Sequence, residues 1–168
     1  MIIDIRDVDF KNETAVKIEI DDFAIEYANA DIEYARVICP TGKSFTVMGL
    51  KESVDPSLLG NENLQAAVVV HNHPVDEFGD SDSFSLDDLQ FAVRYKQKYH
   101  FLVFGTQRNA FEFTQFYSED EMTKAWKIAK LVLLDNARKT NTPVGSEQLG
   151  ILKILNNTLK GFDFYEDF

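Results

Sequence analysis

The sequence predicts a mixed α/β (α+β) fold, a β-sheet flanked by helices, followed by a helical C-terminal extension. Three observations carry that expectation. A wholly apolar run over residues 66–70 marks a central strand covered on both faces. Two strand–turn–strand stretches lie at 33–49 and 100–117. Amphipathic helical stripes begin after Ser85, Ser118 and Pro143. The expected division is a sheet domain over residues 1–117 and a helical extension over 118–168.

Taken in order, "MIIDIRDVDF" alternates apolar and polar residues and reads as a strand. In "TAVKIEIDDFAIEYANA", "VKIEI" has period two, whereas Ile20, Phe23, Ala24 and Tyr27 fit a helical face. A short strand followed by a helix is expected there. "EYARVICPTGKSFTVMG" places two strand-like arms about a Pro-Thr-Gly turn and predicts a hairpin. "LQAAVVVHNHP" leads, helical or extended, into the central strand. "SLDDLQFAVRYKQKY" sets Leu86, Leu89, Ala92, Val93 and Tyr99 on one stripe and predicts a helix. "HFLVFGT" and "NAFEFTQFY" make the second hairpin. "SEDEMTKAWKIAKLVLLDNARK" then opens on a Ser-x-x-Glu capping box, with Met122, Trp126, Ala129 and Leu133 on one face. Another helix follows Pro143, and the closing "GFDFYEDF" reads as a frayed acidic tail.

A length of 168 residues with 45% hydrophobic content suits a folded domain with a real core. Net charge is −11, so little counterion release is available and no nucleic-acid partner is expected. No apolar run approaches the ~20 residues of a membrane helix, and no basic-then-apolar leader opens the chain. A single cysteine, Cys39, fits a reducing compartment. A cytoplasmic protein without a membrane partner is expected.

The chemistry concentrates at "VVVHNHPVDEFGDSDSFSLDD", residues 68–88. In a strand, residues i and i+2 share a side, so His71 and His73 can aim both imidazoles at one point beyond the strand end. Imidazole nitrogens suit Zn²⁺, and Asp88, in the first turn of the next helix, can supply a carboxylate oxygen. Three protein ligands leave a fourth position open, as a catalytic zinc requires. Each piece alone has a structural reading: Ser-x-x-Asp is a helix cap, and His-Pro is a turn after a strand. Their succession in this order singles the stretch out. The tripeptide His71-Asn72-His73 spells the name of the HNH nucleases, but that motif draws its residues from separated points of a metal finger, and the acidic charge opposes a DNA substrate.

His71-Asn72-His73-Pro74, a short loop, and Ser85-Leu86-Asp87-Asp88 together resemble the signature of the JAMM (JAB/MPN) metallopeptidases, in the bacterial and phage form that includes RadC-like JAB domains. Upstream, the glutamate-led "EYARVICPTGKSFTVMGLKESV" is similar to that branch's first hairpin, and the resemblance spans residues 31–116. It implies a JAB/MPN-like mixed sheet flanked by helices, cytidine-deaminase-like in arrangement. It also implies one catalytic Zn²⁺ held by His71, His73 and Asp88, with Ser85 hydrogen-bonding the developing oxyanion. Glu33 would be the general base, with Glu26 as its rival. The implied activity is hydrolysis of a peptide or isopeptide bond in a protein or peptide substrate, with the C-terminus of a ubiquitin-like protein or conjugate as the implied target. The alternatives are a catalytically silent JAB/MPN interaction module or a RadC-like, phage-associated protein linked to DNA processing. The loop "VDEFGDSDSF" is longer than the family's usual spacing, which leaves Asp80, Asp82 and Asp87 as rival ligands and Ser81 and Ser83 as rival serines. His100 reads as a packing residue ahead of an apolar strand.

Overall fold

The computed structural model describes residues 1–74 and 83–167. Among these, seven strands form one mixed sheet in the order β1-β3-β2-β4-β5-β6-β7. The strands are β1 (Ile2–Asp7), β2 (Tyr34–Ile38), β3 (Lys43–Met48), β4 (Val68–Asn72), β5 (Tyr99–Phe104), β6 (Gln107–Phe113) and β7 (Phe162–Glu166). The helices are α1 (Glu13–Tyr27), α2 (Asn61–Leu64), α3 (Leu86–Arg94), α4 (Glu119–Thr140) and α5 (Glu147–Thr158). Every neighbouring pair is antiparallel except β4 and β5, which run parallel and are joined through α3. Antiparallel neighbours can be linked by tight turns, whereas a parallel pair needs a crossover. That crossover places the end of β4 beside the start of α3.

Alternation along the strands divides the core. On one face, Ile38, Val68, Val70 and Val103 pack under Ile20, Phe23 and Ala24 of α1. The other face carries Val37 and Val69 beneath Leu59 and Leu64. It continues through Leu102, Phe111 and Phe113 beneath α3, α4 and α5. The central strand is therefore covered on both sides, as its unbroken apolar run predicts. The 118–167 segment shares this core: Met122, Trp126, Ile151 and Leu155 pack with Phe111 and Phe113.

Three local expectations differ from the structure. "VKIEI" belongs to α1, capped by Asn12, whose side chain accepts from the Thr14 and Ala15 amides. Its alternation misleads because Ile18 is exposed, while Glu19 is buried and accepts a hydrogen bond from Ser44. Helix α3 stops at Arg94, since Lys96 takes a φ of 50° and the Gln97 amide turns back to the Ala92 carbonyl. Tyr99 then starts a strand instead of extending the helical stripe. Finally, residues 162–166 of the closing stretch are a strand and not a frayed tail: Phe162 and Phe164 are buried, and β7 pairs with β6. Asp163 and Tyr165 alternate outward between them, which is the period of an edge strand with one buried face.

Candidate metal centre

Strand β4 delivers the first candidate ligand. Buried Val69 and His71 lie on one face of the sheet, with Ala35 opposite His71 on β2. His73 follows immediately, its amide donating to the Val103 carbonyl at 3.2 Å. The His71 and His73 Nε2 atoms face each other 3.2 Å apart. From the far side of the crossover comes Asp88, in the first turn of α3. The Ser85 amide and hydroxyl donate to Asp88 Oδ2 at 2.7 and 2.8 Å, and the Asp88 amide donates back to Ser85 Oγ at 3.3 Å. This capping box satisfies orphan amides of the helix start and fixes the carboxylate. Asp88 Oδ1 lies 3.6 Å from His71 Nε2.

Ligand atoms of His71, His73 and Asp88 all lie within 4.8 Å of one another, so the triad could hold a metal ion. The spacing suits a small one. Two ligands 2.0–2.1 Å from a tetrahedral Zn²⁺ are about 3.3 Å apart, close to the 3.2 and 3.6 Å found here. Protonation also fits. Burial lowers the His71 pKa to about 4, so its imidazole is neutral at pH 7 and offers a lone pair. Burial works against the Asp88 charge, but the two imidazoles and the Ser85 hydrogen bonds outweigh it and hold that carboxyl below its ordinary value.

Glu33 stands immediately before β2. Its amide donates to the Leu50 carbonyl at 2.8 Å, and its carbonyl accepts from the Gly49 amide at 2.9 Å. Burial, reinforced by the nearby Asp88 charge, raises its pKa to about 7, with a backbone hydrogen bond from Val54 opposing. Glu33, His71, Asp88, Asp87 and His100 line one cavity of about 320 Å³. A carboxyl that titrates near neutrality beside a ligand cluster is the electrostatic pattern of an acid–base group.

Among the sequence candidates, the cavity thus brings Glu33, His71 and Asp88 together, with His73 in the ligand cluster and Ser85 bonded to Asp88. Glu26 stands apart. It receives hydrogen bonds from Arg36 and Arg6 on the α1 side of the sheet, since Arg36 alternates with cavity-lining Ala35. Asp87 lines the cavity but is outside the ligand cluster among the described residues. Asp80, Asp82 and Ser81 lie outside the described residues. Ser83 is buried, with no hydrogen-bond partner for its hydroxyl among the described residues. His100 packs against Phe111 at 5.0 Å between ring centres, and its Nε2 donates to Gln97 Oε1 at 2.6 Å.

Two contributors escape a reading of the sequence. Asn72, between the histidines, is fully buried; its Oδ1 accepts from the Tyr34 amide at 2.7 Å, and its Nδ2 donates to the Ile32 carbonyl at 3.0 Å. It clamps the segment that carries Glu33 to the strand that carries the histidines. Gly49 lets the chain pass close to its own return: a Cβ there would lie 2.3 Å from the Ser53 carbonyl oxygen and 2.7 Å from Val54 Cα. The only signal for either was adjacency to a candidate residue or a hairpin end. The chain matches no protein-family model, no curated protein and no solved structure.

Proposed function

We propose that this protein is a zinc-dependent metallopeptidase of the JAMM type, hydrolysing a peptide or isopeptide bond, with the C-terminus of a ubiquitin-like protein or conjugate as the substrate class. The single observation that carries the reading is the convergence of His71, His73 and Asp88, two of which, His71 and Asp88, line the same cavity as Glu33. Placement of the ligands at the end of β4 and the start of α3 supports a JAB/MPN-like fold. The absence of any helix long and apolar enough to cross a membrane, among the described residues, is compatible with the cytoplasmic location that this reading carries.

Zn²⁺ in this triad would supply Lewis acidity, acidifying water and polarising a carbonyl. The chain supplies the rest. Glu33, whose carboxyl pKa burial raises to about 7 in the metal-free chain, takes the proton of an attacking water and returns it to the leaving amine, which needs a group able to do both. Ser85 orients Asp88 through Oδ2; turning its hydroxyl proton from Asp88 to a developing oxyanion adds a donor at the reacting carbonyl. Asn72 and the Val54 amide hold Glu33 in place.

Metal analysis of protein purified without chelator tests the first half: about one zinc per chain is expected for one such site, lost in His71→Ala and Asp88→Ala. Cleavage of a ubiquitin-like fusion tests the second: Glu33→Gln keeps the zinc and loses turnover, while Glu26→Gln keeps both. A zinc-loaded wild type inert on every peptide and isopeptide offered would make the protein an interaction module instead.

A further inference from the structure

We propose that the chain self-associates through the outer face of α4, which pairs antiparallel with the same helix of a second copy. The inner face of α4 is already occupied: Met122, Trp126 and Ala129 are buried in the core, and Leu133 lies against Gly150 of α5. On the outside, Ile128 and Leu131 remain 63% and 68% exposed, flanked by exposed Val132 and Leu134. An exposed apolar stripe on a helix that already has its core is the mark of a docking face.

The order of residues along that face selects the occupant. Glu121, Lys124, Ile128, Leu131, Asp135 and Arg138 follow one another at alternating steps of three and four, the spacing of a two-helix seam. Read backwards, the series is again acid for base. A two-fold axis between Ala129 and Lys130 sets Ile128 against Leu131 of the second copy, Lys124 against its Asp135, and Glu121 against its Arg138. Each contact occurs twice, as an isologous interface requires. A parallel pair would instead set every charge against its own kind. Acidic residues within the stripe and a net charge of −11 oppose an anionic membrane as the occupant. Asp135 now pairs with Arg138 and Lys139 of its own helix at 3.2 and 2.5 Å, but such exposed pairs contribute little and exchange readily. Because a single helix face falls short of the roughly 800 Å² per partner of a standard interface, the dimer is weak and concentration-dependent.

Sedimentation velocity from about 5 to about 500 µM tests the proposal, a range chosen for a weak interface. Glu121 also closes the cap on Ser118, so the charge swap is made at Lys124 and Asp135. The wild type moves from monomer towards dimer, and Leu131→Glu stays monomeric with unchanged helix content. Lys124→Glu and Asp135→Lys each weaken association about tenfold, since each places two like-charge pairs in the seam. Two rescues follow from the antiparallel geometry alone: the double variant Lys124→Glu/Asp135→Lys dimerises again, and the two single variants associate with each other. A wild type that stays monomeric throughout, a dimer indifferent to Leu131→Glu, or a double variant that fails to recover would each overturn the proposal. So would a monomer that sediments with phosphatidylserine vesicles through Leu131, which would give the face to a membrane.

Discussion

Replacing Glu33 by glutamine should stabilise the metal-free protein at pH 8 and leave it nearly unchanged at pH 5. Folding moves this carboxyl from 4.5 to about 7, so between those values the folded chain holds a proton that the unfolded chain has released. Stability from this group is therefore complete below about pH 4.5, falls as pH rises towards 7, and is flat above it. At about 1.36 kcal/mol per pH unit, the full displacement is worth about 3.4 kcal/mol. The side chain keeps some contact with solvent, and screening reduces the expected effect to roughly 1.5–2 kcal/mol. Glutamine is neutral at every pH and can still accept from the Val54 amide, so it removes the cost of charge without removing the packing. Urea unfolding of chelator-treated wild type and variant at both pH values gives the comparison, with the change between pH values isolating Glu33 from all other titrations. A difference that does not depend on pH, or a variant less stable at pH 8, would refute the assignment of Glu33 to a desolvated, anion-facing position. Added zinc should shrink the difference, because a nearby cation favours the charged carboxylate.

Other perturbations reach the same site by different routes. Zinc at about a hundred times its dissociation constant should raise the unfolding free energy of the wild type by about 2.7 kcal/mol, and Asp88→Ala should abolish that gain in a thermal-shift titration. Asn72→Ala leaves the Tyr34 amide and the Ile32 carbonyl without their buried partner; a loss of about 2–3 kcal/mol is expected, with zinc content retained and turnover reduced. Gly49→Ala forces a Cβ into the backbone of Ser53 and Val54, costing about 1–3 kcal/mol in denaturant unfolding and lowering turnover by displacing the Val54 donor from Glu33.

Local signals were the legible ones. The capping boxes at Ser85–Asp88 and Ser118–Glu121 lie within four residues and form as their patterns predict. The apolar run before His71 identifies a strand covered on both faces because burial on two sides leaves no room for alternation. Misread segments are those whose environment comes from elsewhere in the chain. Glu19 sits inside because Arg36, fully buried, lies 3.6 Å away on another element, so the polarity of "VKIEI" says nothing about which side faces water. Phe162 and Phe164 become a strand only because β6 offers an open edge. Asn72 could not be assigned a task from its neighbours: its partners stand about forty residues earlier and meet it only once β2 and β4 pair.

The double hydrogen bond from Ser85 bears on which ions the triad could hold. With Oδ2 of Asp88 engaged by both the Ser85 amide and hydroxyl, only Oδ1 is left to reach towards the histidines. Bidentate carboxylate binding, on which calcium sites rely to fill six to eight oxygen positions, is disfavoured by the helix cap while the Ser85 hydroxyl points at Oδ2. Two imidazoles and one monodentate oxygen favour borderline ions over hard ones. The first turn of α3 would thereby disfavour Ca²⁺ at this triad, with Ser85, outside the ligand cluster, withholding one carboxylate oxygen from any ion held there.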